Sequence, residues 1–232
     1  KMKTYKQSRI GDLVTQDFRA AEVFKKAGID FCCGGNQSLE EACREKKLDI
    51  EKLETELAQL SVSGPDTGHK FNEWNLDFLC DYIMNTHHKT VLHLLPELTF
   101  YTQKIAEVHC ANHPELLEIA DLFTQIEIEL RQHLKNEEEV LFPAIKAVLH
   151  TTSEASKDTI ISEITRMTGE HEFAGGAMDK INVLSHGYVV PADGCNTYQV
   201  AYKLLEQFED DLHIHVHLEN NILYPKALKL AI

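Results

Sequence analysis

Two stretches of this 232-residue chain repeat one arrangement of side chains that bind metals. His133 is followed by Glu137, then by Val140, Leu141, Phe142 and Pro143. His215 is followed by Glu219, then by Ile222, Leu223, Tyr224 and Pro225, at the same offsets. In a helix, residues four apart lie on one face, about 6 Å apart along the axis. Each stretch thus presents an imidazole and a carboxylate in the same direction. A single His-x3-Glu is usually a solvated helix pair. Two copies with the same apolar-aromatic-Pro ending are a device. On facing helices they would form a site of two His and two Glu, the way carboxylate-rich dinuclear metal centres are built in helix bundles.

The other two helices of such a bundle must add ligands. The third candidate helix has one His in its body, His171. The first has His87, His88 and His93, and Leu79, Ile83 and Met84 precede His88 at a spacing that turns His88 inward. His88, His133, His171 and His215 with Glu137 and Glu219 exceed one tetrahedral zinc site. Imidazole and carboxylate together accommodate iron, manganese or zinc. The set suits two iron ions, with one Glu from each repeat bridging them. His213 and His217 lie two residues from His215 and point elsewhere, and His93 is read as an ordinary side chain. His69, His109, His113, His150 and His186 fall near helix ends or loops and are expected to be exposed.

The elements that position these residues are helices. A Ser/Gly/Pro/Asp cluster from Ser61 to Gly68 marks a linker. We read residues 1–62 as a small helical N-terminal domain, 63–72 as the linker and 73–232 as a four-helix bundle. In the first part Thr15 is expected to cap a helix that runs to about Lys26, with Gly28 past its end. Ser38 and Glu41 form a capping box, and Asp49 starts a helix with Ile50, Leu53, Leu57 and Leu60 on one face. In the second part four long helices are expected over about 75–107, 114–149, 158–184 and 196–230. Pro96 would kink or interrupt the first, and Pro143 and Pro225 would bend theirs. The apolar face of the second reads Leu117, Ala120, Leu122, Ile126, Leu130, Leu134, Leu141 and Ile145. Short connections make the bundle up-down-up-down.

Composition narrows the function. There are 37 acidic and 23 basic residues, a net charge of −14, which argues against nucleic acid or an anionic membrane surface as partner. No apolar run approaches a membrane span, and no secretory signal is visible. The six Cys are scattered, with Cys32 and Cys33 adjacent, unlike a secreted disulfide framework. A reducing compartment, the cytoplasm, is expected. Cys43, Cys80, Cys110 and Cys195 lack a spacing motif and are read as core or incidental.

Adjacent cysteines do not readily bridge each other, and Gly34 and Gly35 allow a tight turn behind them. Thiols near a helix start ionise more easily. Metal or cluster contact, a mixed disulfide with a partner, and a disulfide between subunits are all open for this pair. The small thiol-bearing N-terminal domain also allows a homodimer.

The second part resembles a hemerythrin-like domain. The stretch from Gly28 to Gly35, with Cys32 and Cys33, together with Leu95–Leu98, Glu170–Gly175 and Leu218–Pro225, resembles the RIC (ScdA/YtfE) family over nearly the whole chain. These are bacterial di-iron proteins for repair of iron–sulfur clusters. The resemblance implies an all-α fold, an up-down-up-down four-helix hemerythrin-like bundle with a small helical N-terminal domain. It implies two Fe ions with an oxo or hydroxo bridge, held by His88, His133, His171 and His215 and bridged by Glu137 and Glu219. It also implies repair of clusters damaged by nitric oxide or peroxide, by iron delivery to a scaffold or damaged protein. Reduction of nitric oxide, or binding of NO or O2, at the same site is the alternative. Oxygen-carrying hemerythrins use a second His four residues after the first on the third helix, where this chain has Gly175. One nitrogen fewer leaves the metals more open. Glu170, beside His171, is a candidate supporting group for the ligands.

Overall fold

The computed structural model describes residues 4–62, 69–151 and 153–232. Four helices come first: α1 (Ile10–Gln16), α2 (Ala20–Lys26), α3 (Leu39–Lys46) and α4 (Ile50–Val62). The remainder forms four long rods. The first joins α5 (Leu76–Ile83) to α6 (Lys89–His109), and the second joins α7 (Glu115–Asn136) to α8 (Phe142–His150). The third is α9 (Glu154–Leu184), and the fourth joins α10 (Asn196–Leu218) to α11 (Tyr224–Ala231). The fold is all-α, a four-helix bundle with a small helical N-terminal domain. No helix among the described residues is long and apolar enough to cross a membrane.

Local signals explain most boundaries of the small domain. Ser38 Oγ accepts from Glu41 N at 3.2 Å while Glu41 Oε2 accepts from Ser38 N at 3.0 Å, closing the expected capping box. Asp49 Oδ1 accepts from Glu51 N at 3.0 Å and so opens α4, whose Leu53 and Leu57 are buried. Gly28, at φ 66°, takes the left-handed turn that ends α2. The expected cap at Thr15 is corrected. Thr15 lies inside α1, and its hydroxyl donates to Gly11 O at 2.8 Å. Asp17 breaks the chain there instead, accepting from Arg19 N at 3.1 Å and from the Arg19 guanidinium. Ile10, Phe24, Phe31, Leu39 and Leu57 form this domain's own apolar core. Of the expected linker, residues 63–68 lie outside the described part. The end of the expected linker is corrected: Phe71, within it, opens a short helical turn and is buried against Trp74, ring centroids 4.8 Å apart.

In the bundle each rod packs on two neighbours, joined by short connections, as an up-down-up-down order requires. The core falls into two clusters. One holds Val91, Leu98, Phe123, Leu134 and Phe208; the other holds Leu79, Ile83, Leu141, Ile145, Ile164 and Ile222. The positions between them on every rod are polar. Leu117 is exposed, correcting the expected face of α7. Leu116, Ile119 and Phe123 are buried as well, beside the expected Ala120, Ile126, Leu130, Leu134, Leu141 and Ile145.

Each of the three composite rods contains one turn of π-helix: Met84–His88, Glu137–Leu141 and Glu219–Leu223. A π turn inserts one extra residue, so the rest of the rod is rotated by about 100° relative to an uninterrupted α-helix. Pro143 and Pro225 stand in the first turn after two of these segments, and the rods continue through them. The wider turn takes up the ring that would collide with the carbonyl four residues back. Pro96 likewise sits inside α6 without interrupting it.

Candidate metal centre

The six residues singled out from the sequence converge in the polar layer between the two apolar clusters. His88, Glu137, His215 and Glu219 are 0 % exposed, and His133 and His171 are 1 % exposed. They form two groups able to hold a metal ion. One is His88, Glu137, His215 and Glu219, and the other is His133, Glu137, His171 and Glu219. Both carboxylates belong to both groups, so each can bridge.

The inward atoms are packed at the separations that ligands of a shared cation adopt. His88 Nε2 and His133 Nε2 each lie 3.3 Å from Glu137 Oε2. His171 Nε2 is 3.2 Å from Glu219 Oε2, and His215 Nε2 is 2.9 Å from Glu219 Oε1. His133 Nε2 and His171 Nε2 face each other at 3.1 Å.

The outward nitrogens explain which atoms point inward. His88 Nδ1 donates to Glu138 Oε1 at 2.8 Å, His133 Nδ1 to Glu170 Oε2 at 2.7 Å, and His171 Nδ1 to Asn220 Oδ1 at 2.9 Å. An Nδ1 proton given outward leaves the Nε2 lone pair inward, the form that binds metal. Two such lone pairs 3.1 Å apart repel unless a proton or a cation lies near them. Glu137 Oε2, Glu219 Oε2 and His88 Nε2 are also buried without a hydrogen-bond partner. Buried polar atoms left like this are costly. Cations between the two carboxylates would satisfy them all, so the residues present fit a metal pair.

The electrostatics agree. Burial and the Glu219 charge oppose ionisation of Glu137, yet His133 and His88 hold its carboxyl down at about 2. Burial likewise opposes the charge on Glu219, and His215, His171 and His88 hold it well below the usual range. Burial disfavours a charged His88, but the Glu137 and Glu219 carboxylates that face it raise it to about 10. His133 is raised to about 10 against burial by Glu137 and Glu170. Burial lowers His215. Without a cation, the two carboxylates thus favour protons on the histidines that face them, in the places of the metal charge.

Sequence reasoning missed part of the supporting layer. Glu138 and Asn220 occupy the same position in the two repeats, directly after the shared Glu, and each accepts from a His on another rod. Phe142 stacks on His88 and Tyr224 stacks on His171, again from equivalent positions. The Tyr224 hydroxyl donates to Glu137 Oε1 at 2.5 Å. The repeat itself carried that signal. His87 is buried as well. Its Nδ1 donates to Asp211 Oδ1 at 2.9 Å, and its ring stacks on His215 with ring centroids 5.5 Å apart. His217, expected to point away from the centre, does so. It is fully buried under Phe31, and burial lowers it to about 4.

The Cys pair lies against the bundle close to the centre. The Cys33 thiol donates to the carbonyl of His171 at 3.5 Å, and its Sγ sits 3.3 Å from where a side chain on Gly175 would begin. The space where a second ligand on the third helix would stand is filled by a thiol from the N-terminal domain. Asn221, within the second repeat, donates to the carbonyls of Phe31 (3.2 Å) and Cys32 (3.3 Å) and holds the loop in place. Gly35 serves this contact, since a Cβ there would stand 2.7 Å from Asn221 Oδ1. The expectation of easily ionised thiols is corrected for Cys32. Its hydrogen bond with Cys33, its burial and the Asp30 charge push it well above the usual thiol value. The exposed Cys195 shows the opposite shift: His109, 3.3 Å away, lowers its thiol to about 7.

Comparison with known proteins gives this geometry its family. Residues 81–227 match the hemerythrin HHE cation binding domain, and residues 6–61 match ScdA_N, a domain of unknown function. The chain is 34 % identical over 225 residues to the iron-sulfur cluster repair protein YtfE of Pectobacterium carotovorum, covering 97 % of this chain and 98 % of the relative. It is 35 % identical over 223 residues to the iron-sulfur cluster repair protein ScdA of Staphylococcus haemolyticus, covering 95 % and 97 %. With YtfE of Musicola paradisiaca the identity is 33 % over 225 residues. The chain belongs to the family of the iron-sulfur cluster repair proteins YtfE and ScdA.

Proposed function

We propose that this chain maintains iron–sulfur clusters damaged by nitric oxide or peroxide in the cytoplasm, holding two iron ions at the buried His/Glu centre and giving iron to a damaged cluster protein or scaffold. One observation carries the reading: two four-residue groups that share Glu137 and Glu219, in a chain related end to end to proteins named for cluster repair. Those names speak for repair and not for nitric oxide reduction.

On this reading residues 1–62 are a docking module and 73–232 the metal-holding bundle. His88, His133, His171 and His215 are terminal ligands, and Glu137 and Glu219 bridge. Bound iron supplies an ion that can exchange its ligands and be handed on. The chain's residues do the rest. Glu138, Glu170 and Asn220 fix the Nδ1 protons of three histidines outward. Tyr224 holds Glu137, while Phe142 and Tyr224 cover the rings. Gly175 leaves one face without a protein ligand, and the Cys33 thiol stands at that face.

The test is metal analysis and Mössbauer spectroscopy on anaerobically purified protein, followed by incubation with an apo cluster scaffold. About two coupled irons per chain that pass to the scaffold support the reading. Irons that stay in place overturn delivery, and a chain without iron overturns the centre.

A further inference from the structure

A second cluster of ligand-type side chains lies away from the centre, in a cleft of about 470 Å³ between the N-terminal domain and the bundle. Asp179 comes from α9, and Glu209 and His213 come from α10, one helical turn apart. Their ligand atoms lie within 4.8 Å of one another. His213 faces this cluster because it sits two residues from His215, on another side of α10. We propose that Asp179, Glu209 and His213 form a separate mononuclear site for a divalent cation, a station for ferrous iron passing between solvent and the buried centre. The cation site stands on its own geometry; its role as a station rests on the repair reading.

The donor set suits the ion. Two carboxylates and an imidazole with open positions are the ligands that bind ferrous iron or manganese reversibly. Glu209 is 7 % exposed, and its Oε2 accepts from Asn182 at 3.0 Å, which orients the carboxylate. The Tyr188 hydroxyl lines the same cleft beside Glu209 and Asn182. It is buried, makes no well-formed hydrogen bond and has Glu209 and Asn182 within interaction range, so it can turn to a water or carboxylate on a bound ion. Five carboxylates line the cleft, Asp30, Asp179, Glu206, Glu209 and Asp210, against two lysines, Lys25 and Lys46. Burial and the nearby Asp30 push the Asp179 carboxyl up, and burial pushes that of Glu209 up. Lys25 is already engaged with Asp210 at 2.6 Å. A cation in the cluster would relieve this excess.

Position supports the route. On α9, His171, Gly175 and Asp179 follow at four-residue steps on one face. Cys33 lies over Gly175, and Asp30, which accepts from Cys32 N at 2.8 Å and from Gly34 N at 2.7 Å, lies within charge range of Asp179. Donor atoms thus run in a row from the buried layer to the cleft.

The experiment titrates the iron-loaded full chain with Mn(II) and follows free Mn(II) by EPR, with iron assayed before and after. The wild-type chain is expected to take up about one Mn(II) without losing iron, and Asp179→Asn with Glu209→Gln is expected to weaken this roughly tenfold or more. No uptake by the wild type, or equal uptake by the variant, overturns the site. If the double variant does not fold, His213→Gln and anomalous diffraction from Mn(II)-soaked wild-type crystals decide. Density between Asp179 and His213 upholds the site, and its absence overturns it. Iron transfer to an apo scaffold then tests the route. Slower transfer by the variant, with the centre's iron content unchanged, upholds the station. Unchanged transfer removes that role but leaves the site. A wild-type chain that transfers no iron sinks the repair reading, while the Mn(II) count still decides the site.

Discussion

His133 and Glu219 show how each ligand residue depends on the others. Each is buried among groups of opposite charge, so removing one leaves a charged partner without compensation. Such losses cost about 3–5 kcal/mol in buried pairs. His133→Ala and Glu219→Ala should therefore lower the melting temperature and bind less metal. Glu219→Ala should lose both ions because that carboxylate belongs to both groups. Full iron content in either variant would remove these residues from the ligand set. The thiols allow a second check. Cys195, lowered to about 7 by His109, should react first with iodoacetamide at neutral pH, and Cys32 and Cys80 late, since Cys33, burial and Asp30 keep Cys32 protonated and burial keeps Cys80 so. Peptide mapping after limited alkylation reads the order, and modification of Cys32 ahead of Cys195 would contradict it.

The helical elements carry the precision. The π turn at Glu137–Leu141 separates the register that aims His133 inward from the register that buries Phe142 and Ile145. Deleting the exposed Glu139 would restore an α-helix and rotate one side by about 100°. The expected result is loss of at least half the bound metal with the chain still helical, read by metal analysis and circular dichroism. Retained metal would show that the π turn is dispensable. Docking of the N-terminal domain rests on Asn221, and a side chain at Gly11 would overlap Asn221. Gly11→Ala should speed proteolysis of residues 1–62 while the bundle keeps its iron; an unchanged cleavage rate would argue against this contact as the anchor.

The extent of what could be read from the chain depends on how local each signal is. The four rods, the capping box at Ser38 and the six converging residues were legible because helical period and the duplicated motif are local. The π turns were not, since a one-residue insertion leaves the composition of a helix unchanged. Thr15 misled because it stays inside α1, its hydroxyl turned back to Gly11 O, and the chain breaks two residues later at Asp17. Glu138 and Asn220 became visible only when the rods were packed together, although their matched places in the repeat pointed to them.

At the scale of the whole molecule, protons and metal compete for the same space. In the metal-free fold His88 and His133 sit at about 10, above the ordinary value of 6.5. Groups raised in this way stabilise the fold fully below about pH 6.5, and the contribution is lost as pH rises through about 10. Glu137, lowered to about 2, contributes above about pH 4.5 and loses its contribution as pH falls through about 2. Metal-free protein should thus be most stable near pH 4.5–6.5 and weaken toward pH 10. Metal binding releases the competing protons, so the gap in melting temperature between loaded and metal-free protein should widen from pH 6.5 to 10. A gap independent of pH would show that the histidines are already neutral.

The outer hydrogen bonds of the centre are not the same on its two halves. His133 and His171 both give their Nδ1 protons to acceptors, whereas His215 Nδ1 is buried with no partner. Outer partners of this kind are worth about 10–100-fold in metal affinity. If the centre holds two ions, as proposed above, the one beside His88 and His215 would leave first, and the one beside His133 and His171, where both histidines have outer partners, would stay. Removal of iron by a chelator should then run in two phases, with a half-loaded protein accumulating between them, folded and ready to be refilled.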